Sequence, residues 1–378
     1  MQATHINLRG QWIGQTTGAN HAFVVVNFDE MQNIYKGVAY FLESNPSLAS
    51  IAGFFSTPDK SPGFSCRAQL SPIDPSTGII LNPEQIKLRC PDVKISEFAD
   101  MTGSCDHETL LISWETPVGT AGTFKLKRPK MAEKSEIEPY ACDWEGFKSH
   151  IGRFASGKWF YRGQAGPWRL RTPFHRTGRA DLNRYLHEDI PLSYRHLSAG
   201  IKHLYDPAKP GRNVSIFHLL QQHGYPTPLL DWTFSPYVAA FFAYAGMSKE
   251  LAERAAPKDK IRIFIFDQVN WRLDCSQFYH VIPGALHFSI GESVGVESDR
   301  STPQQAVSTL TNVDDIESYI AAFEKHKKYL FAVDLPVSER RKVIQELGLM
   351  GITAGSLFPG LDGAREKFKE RNFNQSES

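Results

Sequence analysis

The sequence has few cysteines, little net charge and no long apolar run, and each of these absences excludes a class of protein. Its 378 residues include five cysteines, an odd number that are widely spaced, so no disulfide framework is indicated. Acidic and basic residues nearly cancel (41 Asp and Glu, 42 Lys and Arg), which excludes a general attraction to nucleic acid or to an anionic membrane. No apolar run approaches the roughly 18 residues of a membrane-spanning helix, and the first ten residues lack the order of a secretory signal. We therefore expect a soluble, cytoplasmic protein with reduced thiols and no membrane contact.

Cofactor and metal motifs are also scarce. The chain contains no complete P-loop or Rossmann fingerprint. The triplet Cys105-Asp106-His107 lacks a second close pair that would complete a tetrahedral ligand set. We therefore expect no metal in the site.

The first 130 residues have the pattern of an all-β unit. Short apolar runs alternate with turn residues at a spacing of about 8–12 residues, which is typical of a sandwich or a small barrel. We therefore predict an all-β barrel or sandwich over residues 1–130. The predicted strands lie in the segments QWIG, HAFVVVNFD, GVAYFLE, IAGFFST, FSCRAQLSP, GIILN, IKLRC, TLLISWETP and GTFKLKRP.

The opening strand contains the pattern Gly10-x-Trp12-x-Gly14. This pattern is similar to the first strand of lipocalin-like barrels. It has two explanations: a tryptophan packed at one end of a barrel beside permissive glycines, or part of a ligand-binding calyx. We favour the packed tryptophan.

The second half combines helices and strands. Lys127–Pro139 is polar and flanked by prolines, so it is the predicted linker, and residues 140–370 are predicted to form an α+β domain. Apolar residues at helical spacing and capping residues predict helices at Ala141–Ile151, Leu182–Ala199, Ile216–His223, Ser235–Ala245 and Ser338–Leu347. Continuous apolar runs predict strands at Trp159–Gln164, Ile261–Asp267 and Lys328–Pro336.

A first candidate cluster lies in the segment Trp159–Gln164. It places Arg162 at the end of an aromatic strand, followed by Gly163, which allows backbone or ligand to approach closely. The rigid fork of a guanidinium suits a phosphate or a ribose. A pairing of Arg162 with a buried carboxylate is the alternative interpretation.

A second cluster lies in the segment Gln222–Pro236. Its polar residues Asp231, Thr233 and Ser235 alternate with aromatic residues and lead directly into an apolar helix. Hydroxyl groups beside free helix N–H groups form a natural site for an anion or another ligand. Alternatively, Ser235 only caps the helix and Asp231 only fixes the turn. His223 in the same segment is more typical of a packed residue than of a proton shuttle.

A third cluster is the strand-like segment Arg300–Ala306 with its two amides, Gln304 and Gln305. Neutral amides orient a substrate but are poor general bases. A carboxylate at this place would have to come from a nearby acidic residue, and each candidate is equally well explained as surface charge: Glu292, Glu297 and Glu317.

The combination of these motifs resembles the FRG domain, a bacterial and phage-associated family. The resemblance covers about residues 140–363 and rests on WFYRGQ, on QQHGYPTPLLDWTFSPYVAAFFA, on Arg300–Gln305 and on LFPGLDG at Leu357–Gly363. The chain departs from the family pattern where it has Ala306, Ser308 and Pro228.

The order of the three clusters is similar to that of the ADP-ribosyltransferase fold. The resemblance implies that an arginine anchors NAD, that the Ser/Thr strand supports the nicotinamide side, and that a third strand commonly supplies a glutamate. In this chain Gln304 or Gln305 occupies the third place, and no catalytic glutamate is visible there. The predicted catalytic residues are Arg162, Thr233, Ser235 and Gln305. The predicted NAD-binding residues are Arg162, Gly163, Gln164, His223, Asp231 and Gln304.

These resemblances imply three functional hypotheses. The first is an NAD-consuming, ADP-ribosyltransferase-like enzyme of the toxin or anti-phage type, with NAD as substrate and a β domain that recognises a trigger, a target or a partner protein. The second is a non-enzymatic module that binds a nucleotide or nucleic acid, and the third is a partner-binding scaffold without activity. A local basic groove for nucleic acid would use Arg153, Arg162, Arg169, Arg171, Arg176 and Arg179.

Overall fold

A computed structural model of the chain describes residues 7–370 and residue 372, apart from the ranges 18–21, 46–47, 76, 92–93, 131–132, 155–156, 198–212, 283–284 and 292–299. The described residues form a closed β barrel followed by a unit in which helices cover a seven-stranded sheet. The predicted fold class, an all-β barrel followed by an α+β unit, is thereby confirmed. Glu292 and Glu297, two of the acidic residues considered above, lie outside the described residues.

Eight strands form the barrel, each pairing with its neighbours in antiparallel fashion, and the first strand also pairs with the last. Alternate residues point inward, so Val24, Val26 and Phe28 contribute to the interior core. The strands are β1 (Gly10–Thr17), β2 (Ala22–Glu30), β3 (Tyr35–Glu43), β4 (Ser50–Ser56), β5 (Gly63–Ile73), β6 (Phe98–Cys105), β7 (Thr109–Glu115) and β8 (Ala121–Lys127).

Two predicted strands of this unit are wrong. In the segment GIILN, only Ile80 pairs, in an isolated bridge with Ile73. The segment that contains IKLRC forms a helix, α1 (Pro83–Arg89). Asn82 caps this helix, accepting from the backbone N–H of Gln85, and Pro83 occupies its first turn. The sequence analysis also missed β6, whose inward residues are separated by polar ones.

Trp12 is packed inside the barrel, as predicted. Its side chain is fully buried, and its indole N–H donates to the backbone oxygen of Leu8 at 2.7 Å. The guanidinium of Arg128 lies over the ring at 4.3 Å from its centre. Gly14 leaves no room for a side chain, because a Cβ there would lie 2.3 Å from the carbonyl oxygen of Lys125.

The second unit is built on a sheet with the strand order β13-β14-β11-β10-β12-β15-β9. Neighbouring strands are antiparallel except for β15 and β9, which are parallel. The strands are β9 (Pro139–Ala141), β10 (Trp159–Gln164), β11 (Leu229–Thr233), β12 (Lys260–Asp267), β13 (Phe288–Gly291), β14 (Ala306–Thr311) and β15 (Leu330–Pro336).

Helices lie on both faces of this sheet. Their bounds are α2 (Trp144–Ile151), α3 (Pro173–Arg176), α4 (Leu182–Arg184), α5 (Ile190–Leu197), α6 (Asn213–Gln222), α7 (Pro236–Ala245), α8 (Lys249–Glu253), α9 (Gln268–Asp274), α10 (Ile316–Ala321), α11 (Arg340–Leu349), α12 (Ala354–Leu357) and α13 (Leu361–Lys369). A π-helical turn separates α4 from α5, so the helix predicted from Leu182 is interrupted. None of the helices in the described ranges is long and apolar enough to cross a membrane.

Two apolar cores hold these helices in place. Helices α2, α7 and α11 pack on one face of the sheet, against Tyr161, Ile263 and Val333. Helices α9 and α10 pack on the opposite face, where Trp232 and Phe266 contribute. Both faces of the central strands are therefore buried, which explains their continuous apolar sequences.

A buried carboxylate joins the barrel to the second unit. Asp29 lies on the outer face of β2 and is only 1% exposed. It accepts the backbone N–H groups of Ala180 and Asp181 at 2.9 and 3.2 Å, and Arg179 Nε donates to it at 2.7 Å. Arg184 completes the arrangement with a contact of 3.4 Å. Within the described structure, the partners of Asp29 therefore all come from residues 179–184, which include α4 and the residues just before it.

A second polar contact joins the two units at β1. The buried side chain of Gln11 donates to the backbone oxygen of Asn312 at 2.9 Å and accepts the backbone N–H of Asp314 at 3.2 Å. Apolar residues on the outer face of the barrel, Val25 and Tyr40 among them, cluster with Leu286 of the second unit. The interface therefore combines an apolar patch with specific hydrogen bonds.

We predict that Asp29→Ala will lower the free energy of unfolding by about 3–5 kcal/mol, because it leaves the backbone N–H groups of Ala180 and Asp181 without their buried acceptor and removes one of the carboxylate partners of Arg179 and Arg184. Urea titration followed by circular dichroism would measure this change. Asp100→Ala is the matched control, since Asp100 pairs with Arg67 at the surface. An equal effect of the two substitutions would contradict the role of Asp29.

Candidate functional site

The candidate site lies where two neighbouring strands separate. Strand β10 pairs with β12 at six consecutive positions, but in the described structure it pairs with β11 only at Tyr161 and Thr233. Beyond that pair, Arg162 bridges the strands, and its Nη1 donates to the carbonyl oxygen of Asp231 at 2.6 Å. A cavity of about 710 Å³ adjoins this junction and is lined by residues from β10, β11, β14 and α6.

Arg162 places a positive charge in this cavity. Its Nε is buried and has no hydrogen-bond partner among the described residues. Burial lowers the pKa of the Arg162 guanidinium to about 10, while the charge of Asp231 acts in the opposite direction. The group therefore stays protonated at pH 7 and presents an unsatisfied charged donor, which favours an anionic ligand.

The opposite wall carries a histidine that the sequence analysis missed. His218 of α6 lines the cavity, and its Nε2 lies 2.9 Å from the hydroxyl of Ser308 on β14. Ser308 pairs in register with Asp231. Burial lowers the pKa of His218 below 6.5, and the charge of Asp231 opposes that shift. The imidazole is therefore neutral at pH 7 and able to accept a proton.

His218 gave no signal in the sequence because it lies inside the apolar helix segment Ile216–Leu220. A histidine in such a helix is usually a packed residue. Only the pairing of β11 with β14 brings Ser308 beneath that helix. The residues of this wall thus become neighbours through long-range contacts.

The third cluster forms a turn, not the strand-like segment that the sequence predicts. Gln305 has a left-handed backbone (φ 46°), and strand β14 begins only at Ala306. The backbone N–H of Gln304 donates to the carbonyl of Arg300 at 3.1 Å, which closes the turn. The local hydrogen bonds of the turn replace strand pairing for these residues.

The turn connects β11 to the C-terminal motif. The hydroxyl of Thr233 donates to the carbonyl of Gln304 at 2.7 Å, and the side-chain amide of Gln304 donates to the carbonyl of Leu357 at 2.9 Å. Arg300 lies 5.4 Å from the ring centre of Phe358. The structure therefore brings together segments of all four motifs quoted for the FRG domain.

Five of the predicted site residues line the cavity. They are Arg162, Gly163, Asp231, Thr233 and Gln304. Thr233 also holds the local structure, because its hydroxyl accepts the backbone N–H of Ser235 at 3.0 Å in addition to its bond to Gln304.

The other four predicted residues do not line the cavity. Ser235 caps α7 by accepting the backbone N–H of Val238, and Gln164 donates to the carbonyl of Trp168 at 3.1 Å. His223 is exposed just after α6. Gln305 contributes its carbonyl, which accepts the backbone N–H of Phe234 at 3.1 Å.

Gly163 has a packing reason that the sequence did not reveal. A Cβ at this position would lie 1.8 Å from the carbonyl oxygen of Ala239 and 2.9 Å from the nitrogen of Ala243. The backbone of α7 therefore approaches β10 closely, and this approach requires glycine. The backbone of α7 therefore occupies the space that a side chain at position 163 would need.

We predict that Gly163→Ala will destabilise the protein by about 1–3 kcal/mol or more, because α7 must move away from the sheet. Gly348→Ala in α11 is the matched control. A Cβ there would meet nothing within 4 Å, and this change should stabilise the helix by roughly 0.5–1 kcal/mol. Thermal unfolding of both variants measures the difference, and similar midpoints would contradict the packing argument.

Comparison with known proteins agrees with the motifs of this site. The sequence model of the FRG domain matches residues 157–251, which include β10, α6, β11 and α7. No curated protein matches the chain significantly. The chain therefore contains an FRG domain, and its first two motifs form two walls of the cavity.

Proposed function

We propose that the unit after the barrel is an ADP-ribosyltransferase-like enzyme that uses NAD as its substrate. One observation carries the proposal: the charged Arg162 has a buried Nε without a partner, beside a cavity of about 710 Å³. A volume of this size is typical of sites for small molecules and cofactors.

The charges and rings of the cavity suit a dinucleotide. Arg162 and Arg300 supply positive charge for a pyrophosphate, and a guanidinium can hold phosphate oxygens in a bidentate manner. Phe234 is 41% exposed and lines the same cavity, so one face of its ring is available for stacking on a base. The amide of Gln304 already donates to Leu357, so its place in the site is fixed.

The reacting groups come from β11 and α6, and not from the third cluster, where the motif order would place a glutamate. Cleavage of NAD builds positive charge on the ribose, and Asp231, the one carboxylate among the described lining residues, would stabilise it. The bond between C1′ and the nicotinamide nitrogen breaks, and its electron pair leaves with nicotinamide. As this bond breaks, an acceptor oxygen bonds to C1′ in the same step, and its proton passes to neutral His218. His218 thereby supplies the base that the amides at Gln304 and Gln305 cannot.

The alternative hypothesis, that this unit is a nucleic-acid-binding module, has less support. It relies on a row of arginines, but Arg169, Arg171 and Arg179 form ion pairs with buried acidic residues. Paired arginines contribute little to the binding of a polyanion. We assign the barrel the role of recognising a trigger or target, in an effector of the toxin or anti-phage type.

We predict that Arg162→Ala will lower the rate of nicotinamide release from NAD by about 100-fold or more, because the charged donor is lost. Release is followed by chromatography of the purified full chain. Arg162→Lys should retain part of the rate, and Arg341→Ala is the control because Arg341 is exposed on α11. A folded wild-type chain that neither binds nor cleaves NAD would overturn the proposal.

We predict that the rate of release will rise with pH through a midpoint below 6.5 and then level off, because protonated His218 cannot accept a proton. His218→Gln should lower the plateau by about 100-fold or more and remove this acidic limb. His326→Gln, at an exposed position, is the control. If the acidic limb of the pH–rate profile were unchanged in His218→Gln, His218 would not be the base of the reaction.

A further inference from the structure

The interior of the barrel is filled unevenly. At one end the rings of Phe28, Phe55, Phe64 and Tyr35 pack on one another with centres 5.4–6.3 Å apart. At the other end a cavity of about 500 Å³ lies between the strands. An eight-stranded barrel is just wide enough to be filled by its side chains or to hold one small ligand.

Small residues create this cavity. Ala39, Gly53, Ala68 and Ala99 line it from four neighbouring strands, and the three alanines are at most 9% exposed. Larger apolar side chains at the three alanines would occupy part of this space. The sequence therefore maintains the cavity although the fold does not require it.

The wall of the cavity combines three aromatic rings with one carboxylate. Phe41, Trp114 and Phe124 all line the cavity, with ring centres 5.6–6.2 Å apart. Glu43 lies two residues beyond Phe41, on the same face of β3, and is half-buried. It has no ion-pair partner in the described part of the chain, and burial raises its pKa. Lys94, the other charged residue among the described lining residues, is exposed to solvent.

We propose that this end of the barrel binds a small organic cation, with an apolar body among the aromatic rings and a protonated amine against Glu43. The aromatic rings and the small apolar residues would remove the apolar body of the ligand from water, which favours binding. The amine would supply the charge partner that Glu43 lacks within the protein. This site is separate from the cavity beside Arg162, and its occupation does not depend on the reaction proposed there.

The test uses three probes with the same chain, decylamine, decanol and decanoate, below their aggregation concentrations and near pH 7, where the amine is protonated. Each probe competes with the fluorescent ligand N-phenyl-1-naphthylamine for the full chain. We expect decylamine to displace it at about tenfold lower concentration than decanol, with decanoate the weakest. Displacement by none of them, or best displacement by decanoate, would overturn the proposal.

Variants then assign the binding to this cavity. Glu43→Gln should abolish the preference for decylamine over decanol, and Glu115→Gln, at an exposed barrel position, should retain it. Ala99→Phe should reduce the affinity for all three probes, and Ala68→Leu is the milder filling variant if the first fails to fold. Thermal unfolding verifies the fold of each variant. Unchanged affinity in a folded filling variant would place the probes elsewhere and refute the site.

Discussion

The interruption of pairing between β10 and β11 is the constraint on which the candidate site depends. A sheet normally satisfies the backbone groups of neighbouring strands along their whole length. Here the side chain of Arg162 bonds to the carbonyl of Asp231 where the ladder has opened. Because β12 pairs fully with the other edge of β10, and α7 packs tightly over Gly163, strand β10 cannot shift to close the gap. The cavity is therefore held open by the sheet itself.

The polar residues around this gap have divided roles. Thr233, Ser235 and the carbonyl of Gln304 form a connected set of hydrogen bonds that fixes the end of β11 and the start of α7. Arg162 and His218 lie outside this set: Arg162 has a buried Nε without a partner among the described residues, and His218 bonds through Nε2 to Ser308. Thr233, Ser235 and Gln304 thus fix the local backbone, while Arg162 and His218 are the residues best suited to bind or react. Buried polar sets that are fully satisfied are rigid, which is what a precise site requires.

Much of this fold could be predicted from local patterns, because alternation and apolar runs report directly on strands and their burial. The capping of α7 by Ser235, with Pro236 in the first turn, could also be predicted from the sequence and is confirmed. The helix at Pro83–Arg89 was missed because its apolar residues imitate a strand, although Asn82 and Gln85 carried a capping signal. His218 could not be predicted, because its partner Ser308 is brought near by pairing between distant strands. The same holds for Asp29, whose partners lie far away in the sequence.

Asp29 also constrains which other domains could replace the barrel in evolution. Its partners are two backbone N–H groups and two arginines within the short segment 179–184, so this part of the interface between the barrel and the FRG-containing unit depends on one carboxylate. A different recognition domain could occupy this place only if it brought an equivalent acceptor to that segment. A complementary carboxylate is then one of the features that an exchanged front domain must supply. Related chains that keep the basic segment should also keep an acidic residue opposite it, whatever fold presents it.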